Sequence, residues 1–284
     1  MAESEMHRIS VLILTKNEEA DLPGCLDSVS WSDDVHVLDS ESTDATVAIA
    51  RDRGAKVSVR PFDGYSSQRN FGLQSIAYVH SWVLILDADE RIPGELVPVL
   101  DEFVSDAPDF VAAARIRRRD IWWGRWLRHA QISPFYQRLV RPRKVHYVRE
   151  INEVLVVDGT TRDLDGFFDH FPFSKGLAHW VAKHNAYSTM EAELIALGGD
   201  FQASIWTAVF DRDFNVRRRH QKGIFYRLPA RPLLKFFYMV IIRRAFLDGM
   251  PGIRYSILQG FYEYLIVLKT REILSRRPSK LRAL

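Results

Sequence analysis

A chain of 284 residues, 47% hydrophobic and 26% charged, is ordinary globular material: one large domain, or one domain with appendages. Its formal charge of +3 is too slight to argue for nucleic acid, and Cys25, the single cysteine, excludes an intrachain disulfide and suits a reducing cytoplasm. The opening "MAESEMHRIS" lacks the regions of a signal peptide, and no uninterrupted apolar run reaches the roughly 18 residues of a spanning helix, so a soluble or peripheral protein is expected.

From Ile9 to about Arg117, short β-rich runs alternate with segments of helical spacing. The runs are "ISVLIL" (9–14), "VHVLD" (35–39), "KVSVR" (56–60), "WVLILD" (82–87) and "FVAAARI" (110–116). In the helical segment "STDATVAIARDRG", Ser42 or Thr43 can cap, Asp44 suits the first turn and Gly54 follows the last apolar position. Strands alternating with helices of this length predict right-handed crossovers, an α/β fold and a mostly parallel sheet flanked by helices. Residues 118–170 are less regular and rich in arginine and tryptophan, and "EVLVVDG" (153–159) reads as one further strand. A helix is predicted over about 176–197, with Leu177, Trp180, Val181, His184, Tyr187 and Glu191 near one face. "LLKFFYMVIIRRAFL" (233–247) and "IRYSILQGFYEYLIVLKTREI" (253–273) then combine apolar and aromatic residues with cationic punctuation, as a C-terminal amphipathic helical extension would.

Ligands of parallel sheets bind at the carboxyl ends of the strands, and Asp39 and the pair Asp87 and Asp89 fall at such ends. Asp87-Ala88-Asp89 is either a solvated strand end or a holder of Mg2+ or Mn2+, which take hard oxygen ligands from one or two carboxylates plus substrate phosphates. Asp39 can accept from a base imide or ribose hydroxyl, or serve helix entry. Thr15 and Glu18 follow the first strand and would line the same crevice, and Arg69 is placed near a helix start where it could reach phosphate oxygens.

"ISVLILTKNEEADLPGCLDSV", "VLDSESTDATVAIARDRGAKV", "FDGYSSQRNFGL" and "SWVLILDADER" together resemble the nucleotide-sugar domain of inverting glycosyltransferase family 2, over about residues 9–118. The resemblance is strongest to the branch of lipopolysaccharide-core β-glucosyltransferases and exopolysaccharide glycosyltransferases. It implies a GT-A fold, a UDP- or GDP-sugar donor and a divalent metal. Carried onto this chain, Thr15 and Glu18 flank the base, Asp39 contacts the nucleoside and Arg69 lies near base or phosphate. Asp87 touches the ribose or the metal, and Asp89 is the metal-binding carboxylate. An inverting transfer also needs one general base downstream. Related branches carry a His-Glu pair there; this chain has Asn152-Glu153, so Glu153 is the candidate and Glu150 its competitor. His170, in a segment (169–193) that also resembles the branch, is a candidate metal ligand.

The expected organisation is a GT-A domain over 1–225, with a nucleotide-sugar half (about 9–118) and an acceptor half (about 119–225), then an extension over 226–284. Arg115, Arg117, Arg118, Arg119, Arg125 and Arg128, interleaved with Trp122, Trp123 and Trp126, suit stacked bases or an anionic membrane surface. The extension either docks on the cytoplasmic face of a membrane or packs on the protein itself. The expected activity is transfer of a hexose to a saccharide or lipid-linked acceptor in bacterial envelope polysaccharide or lipopolysaccharide assembly, without nucleic acid, by a cytoplasmic enzyme peripheral on the inner face of the cell membrane. The rivals are a sugar-nucleotide-forming nucleotidyltransferase, which would show a Gly-rich loop where this chain has "ILTKNEEADLPG", and a non-catalytic membrane or nucleic-acid binding module.

Overall fold

The apolar runs become adjacent strands: β1 (Ile9–Thr15), β2 (Val35–Asp39), β3 (Lys56–Val59) and β4 (Trp82–Asp87). In the computed structural model, which describes residues 8–148, 154–198, 203–211 and 213–276, these four are parallel in the order β3-β2-β1-β4. The sheet continues through β8 (Phe135–Val140), β6 (Val111–Trp122), β11 (Thr160–His170) and β5 (Glu90–Arg91). β8 is antiparallel to both its neighbours, β6 and β11 are parallel, and β5 closes the edge antiparallel. A separate hairpin pairs β9 (Val145–Val148) with β10 (Val154–Val157).

The run "ISVLIL" does not alternate because both faces of the sheet are covered. Ile9, Val11 and Ile13 pack with Leu22 and Leu26 of α1 (Leu22–Ser28), Ala50 of α2 (Thr46–Asp52) and Leu100 of α4 (Val97–Asp106). Leu12, Leu38, Val83 and Ile85 point the other way, onto Leu73 of α3 (Tyr65–Ser75). α3 lies close because Gly72 faces the sheet, where an added Cβ would meet Leu12 Cδ2 at 2.7 Å. This is the expected α/β fold, a mostly parallel sheet with helices on both faces. Gly54 ends α2 in the left-handed region, as expected (φ 78°). The expected cap differs: α2 starts at Thr46, whose amide donates to Asp44 Oδ1 at 3.0 Å, because Ser42 and Thr43 are held in loop contacts described below.

The starts of β1 and β2 are joined by a buried carboxylate. Asp34 accepts from Ser10 Oγ (2.5 Å), the Val79 amide (2.8 Å) and Lys56 Nζ (2.6 Å), and His36 Nε2 lies at 2.9 Å. Burial pushes the Asp34 carboxyl up, but these hydrogen bonds outweigh it and hold the group well below the usual carboxylate range. A pKa lower in the folded than in the unfolded chain adds stability that is present above about pH 4 and lost as pH falls through the folded value. Asp34→Asn should therefore cost about 1–3 kcal/mol at neutral pH. It should also flatten the acid limb of stability against pH, as urea unfolding over a pH series would check.

The chain divides into two compact units, Met1–Trp122 with Ile132–Lys175, and Trp123–Gln131 with Gly176–Leu284. The second contains β7 (Arg125–Trp126), α5 (Gly176–Ala196), α6 (Ile205–Phe210), α7 (Phe214–Arg227), α8 (Arg231–Phe237), a π-helical turn (Tyr238–Ile242) and α9 (Gly249–Ser275). The expected boundary between 225 and 226 falls inside α7. Asp248 accepts from the amides of His129 and Ala130 and from His129 Nδ1, and Arg243 donates to the carbonyls of His129 and Gln131, which ties 123–131 into this unit. α5 matches the helix predicted there, and of the expected face Trp180 is buried and Val181, His184 and Glu191 are half-buried, with the inward side turned somewhat toward Ser188 and Ala192. Trp180, Ser188, Ala192 and Ala196 are buried, whereas Leu177 and Tyr187 are exposed. Small residues line the buried side, where Lys269 of α9 donates to the Asn185 carbonyl and to Ser188 Oγ.

Candidate active site

Parallel strands present their carboxyl ends on one edge, so Thr15, Asp39 and Asp87 come together there. Thr15 and Asp39 are register partners, and Thr15 Oγ1 donates to Asp39 Oδ2 at 2.7 Å. Asp39 is fully buried and also accepts from the Ser42 amide (2.7 Å) and Ser42 Oγ (2.6 Å). Its carboxylate thus shapes the loop after β2. Asn17 and Glu41 are both left-handed (φ 55° and 58°), and Asn17 Oδ1 accepts from the Thr43 amide at 2.8 Å. Two non-glycine residues in this sparsely occupied region mark a locally strained pair of loops. Glu18 meets Lys175 Nζ at 2.6 Å; burial pushes its carboxyl up to about 7, although Lys175 pulls the other way.

The two acids of the Asp-Ala-Asp turn have separate partners. Asp87 Oδ1 accepts from Arg69 Nη2 and Asp87 Oδ2 from Arg138 Nη2, both at 3.1 Å. Burial works against the charge of Asp87, but the two guanidinium groups hold its carboxyl well below the usual range. Arg138, from the middle of β8, also donates to Glu90 Oε1, while Glu90 Oε2 accepts from the Asp87 amide at 3.0 Å. Glu90 is buried, which pushes its carboxyl up to about 7 against the pull of Arg138. Arg138 therefore stands between two carboxylates and clamps both ends of the turn.

Asp89 faces elsewhere. Its Oδ2 lies 3.3 Å from His170 Nε2, and His170 Nδ1 lies 2.7 Å from Asp120 Oδ1. The register of β11 with β6 puts His170 opposite Asp120, and that of β11 with β5 puts it opposite Glu90. Arg118 Nε, at 3.0 Å from Asp120 Oδ1, holds the far carboxylate. Burial disfavours a charged His170, but Asp120 and Asp89 outweigh it and raise its pKa to about 9. The arrangement is carboxylate, imidazolium, carboxylate, in which the outer acid Asp120 fixes the orientation of the ring. Among the described residues no group of three or more His, Cys, Asp or Glu is placed to hold a metal ion by itself. Asp89, with His170 once it gives up its proton, could supply two ligands to a divalent cation whose other ligands come from elsewhere.

Sequence reasoning missed Arg138, Glu90 and Asp120. A charged residue inside the strand "FYQRLV" was the available signal, since a buried arginine requires carboxylate partners. Glu153 and Glu150 lie outside the described residues. Much of the basic run of β6 is paired within its own unit, while Arg115 and Arg117 stay exposed. Arg115 binds Asp163 through Nε (2.6 Å) and Nη2 (2.9 Å), Arg119 pairs with Asp169, and Arg117 lies over the Phe135 ring at 4.7 Å. Trp122 is buried and stacked on Phe173 (centroids 4.1 Å apart), so it is core, whereas Trp123 is 64% exposed.

The family profile described as Glycosyl transferase family 2 matches residues 10–163, from the start of β1 into β11. This chain belongs to glycosyl transferase family 2. The match contains the Thr15, Asp39, Asp87 and Asp89 strand ends as well as Arg138 and Asp120. An uncharacterized glycosyltransferase of Rickettsia felis is 32% identical over 280 residues, 95% of this chain and 91% of its own length. The lipopolysaccharide core biosynthesis glycosyltransferase LpsC of Rhizobium meliloti is 25% identical over 95% of each chain. Among solved structures, glucosyl-3-phosphoglycerate synthase of Mycobacterium tuberculosis, in complex with Mn2+ and UDP-glucose, is similar over 40% of this chain and 44% of its own, at 28% identity and a TM-score of 0.34. That likeness is partial.

Proposed function

We propose that this glycosyltransferase moves a hexose, with inversion, from a UDP- or GDP-sugar to a saccharide or lipid-linked saccharide in bacterial envelope polysaccharide or lipopolysaccharide assembly. The observation that carries the reading is the pairing of Asp89 with His170, oriented by Asp120, beside an Asp87 already neutralised by two arginines. A nucleoside-diphosphate donor leaves as a diphosphate, and its growing charge needs a cation at such a place. Asp89 and His170 are the residues that would hold Mg2+ or Mn2+, which would supply that neutralisation. Relatedness over nearly the full length to a lipopolysaccharide core enzyme supports the envelope setting.

Thr15, Glu18, Asp39, Arg69 and Asp87 are assigned to the donor. Asp39 and Thr15 hold the loop that would receive the base, and Arg69 stands beside Asp87 on the phosphate side. In the transfer itself, the acceptor hydroxyl oxygen attacks the anomeric carbon from the face opposite the diphosphate, its proton passes to the Glu153 carboxylate, and the carbon–oxygen bond to the diphosphate breaks with its electron pair leaving on the phosphate oxygen. Glu153→Gln should reduce kcat by at least about a hundredfold while leaving donor affinity near normal. Loss of donor binding in that variant would move the base elsewhere. We place the enzyme on the inner face of the cell membrane; no described helix is long and apolar enough to cross it.

Calorimetric titration with UDP and GDP, each with and without Mn2+, tests the reading. Metal-dependent binding of one nucleotide supports it and names the base, whereas binding of neither would refute the donor site.

A further inference from the structure

α9 turns a broad apolar stripe outward in addition to the side it packs on its own unit. Its buried side carries Tyr255 and Ile266 together with the small or polar Gly252, Ser256, Gly260, Glu263 and Thr270. Small residues belong there because neighbouring backbone comes close: a Cβ at Gly252 would meet the Ala245 carbonyl oxygen at 2.1 Å. Glu263 is paired with Arg231 of α8 at 3.3 Å. The outward stripe carries Met250, Ile257, Phe261, Tyr264 and Leu268, between 42% and 54% exposed. These positions follow one another by three or four residues, apart from a gap that Arg254 fills, and Arg271 continues the stripe. α8 and the π-helical turn repeat the pattern. Leu233, Phe237, Tyr238, Ile241 and Ile242 are all exposed, Ile242 by 70%.

Apolar surface on this scale marks an interaction site, and the charge around it identifies the partner. Arg254 and Arg271 of α9 and Arg244, which follows the π-helical turn, are exposed, as are Arg218, Arg219 and Arg227 of α7 in the same unit. Among the described residues from 203 onward the acids are Asp211, Asp213, Asp248, Glu263 and Glu272. Of these, Asp248 and Glu263 are buried and Glu272 pairs with Arg276. A second copy would bring the same cations into the seam. An anionic lipid surface offers hydrocarbon to the apolar stripe and phosphate to the arginines, with tyrosine at the headgroup level. We propose that the outward faces of α8, the π-helical turn and α9 seat this protein in the plane of an anionic bilayer surface. The proposal rests on the reading that the enzyme works at a membrane face, and it assigns the lipid-contacting residues.

The test is co-sedimentation of the full chain with vesicles of phosphatidylcholine alone and of an equimolar mixture with phosphatidylglycerol. Binding should be at least about tenfold tighter to the anionic vesicles and should weaken with added salt. Ile257→Glu combined with Phe261→Glu should abolish it. So should Ile241→Glu combined with Ile242→Glu, an independent pair on the π-helical turn. All four positions are exposed, so an unchanged circular dichroism spectrum is expected. UDP titration with Mn2+ on the same samples reports the donor site separately. Vesicle binding that is absent, or indifferent to both double variants, while UDP still binds would overturn the docking surface and leave the glycosyltransferase reading standing. A lipid-free dimer dissolved by the same substitutions, without vesicle binding, would overturn it in favour of a second copy.

Discussion

With Asp89 replaced by alanine, the chain is expected to lose metal-dependent nucleotide binding and at least about a hundredfold in transfer rate, while folding as before. A group that neutralises charge developing on a leaving diphosphate acts mainly in the transition state, where losing one electrostatic partner commonly costs about 10²–10³ in rate. Asp89 is the acid of the turn left to face His170, because both oxygens of Asp87 accept from arginine. Asp120→Asn should act in the same direction but more mildly, weakening metal affinity by about 10–100-fold through the orientation of His170. The check is calorimetric titration of UDP or GDP over a range of Mn2+ concentrations. Unchanged nucleotide affinity and unchanged metal dependence in Asp89→Ala would remove this residue from the donor site.

Arg138→Met should be the most destabilising single change near the site. Its guanidinium is buried, and it binds Glu90 and Asp87 at once. Removing it leaves a buried carboxylate at Glu90 without its cation and deprives Asp87 of one of two. Breaking a buried ion pair from one side costs about 3–5 kcal/mol. A domain has only about 5–15 kcal/mol of stability in total. Adding Glu90→Gln to Arg138→Met should recover a good part of the loss, since the amide can stay buried neutral and Asp87 keeps Arg69 at 3.1 Å. Urea unfolding of both variants decides this. Equal stability of the single and double variants would mean that the Glu90 carboxylate is not what Arg138 compensates.

Half of the fold was legible because its strands are short, fully buried and separated by helices of ordinary length. "ISVLIL", "VHVLD" and "WVLILD" could only be parallel strands covered on both faces, and their register then forces Thr15, Asp39 and Asp87 onto one edge. The second half resisted, for a physical reason. β8 enters between β4 and β6 antiparallel to both, a pairing that no local pattern specifies. The helix α5 stands at its expected place with its inward side turned toward Ser188 and Ala192, and Lys269 of α9 donates to Asn185 and Ser188 there, a contact that apolar periodicity does not reveal. Within the basic tryptophan-rich stretch, sequence does not reveal that Asp163 and Asp169 of β11 lie opposite Arg115 and Arg119 of β6, while Arg117 and Trp123 stay exposed.

What the sequence by itself determined is the first half of the sheet: the parallel strands, the acids at their ends and membership of the family, all carried by motifs within single loops. What only the tertiary structure decided is which partners those acids meet. Groups from strands far apart in the chain supply them, Arg138 binding Asp87 and Asp120 holding the His170 ring that faces Asp89. Loop chemistry is written in neighbouring residues, whereas the charge balance of a buried site is a sum over whatever the fold brings within a few ångströms.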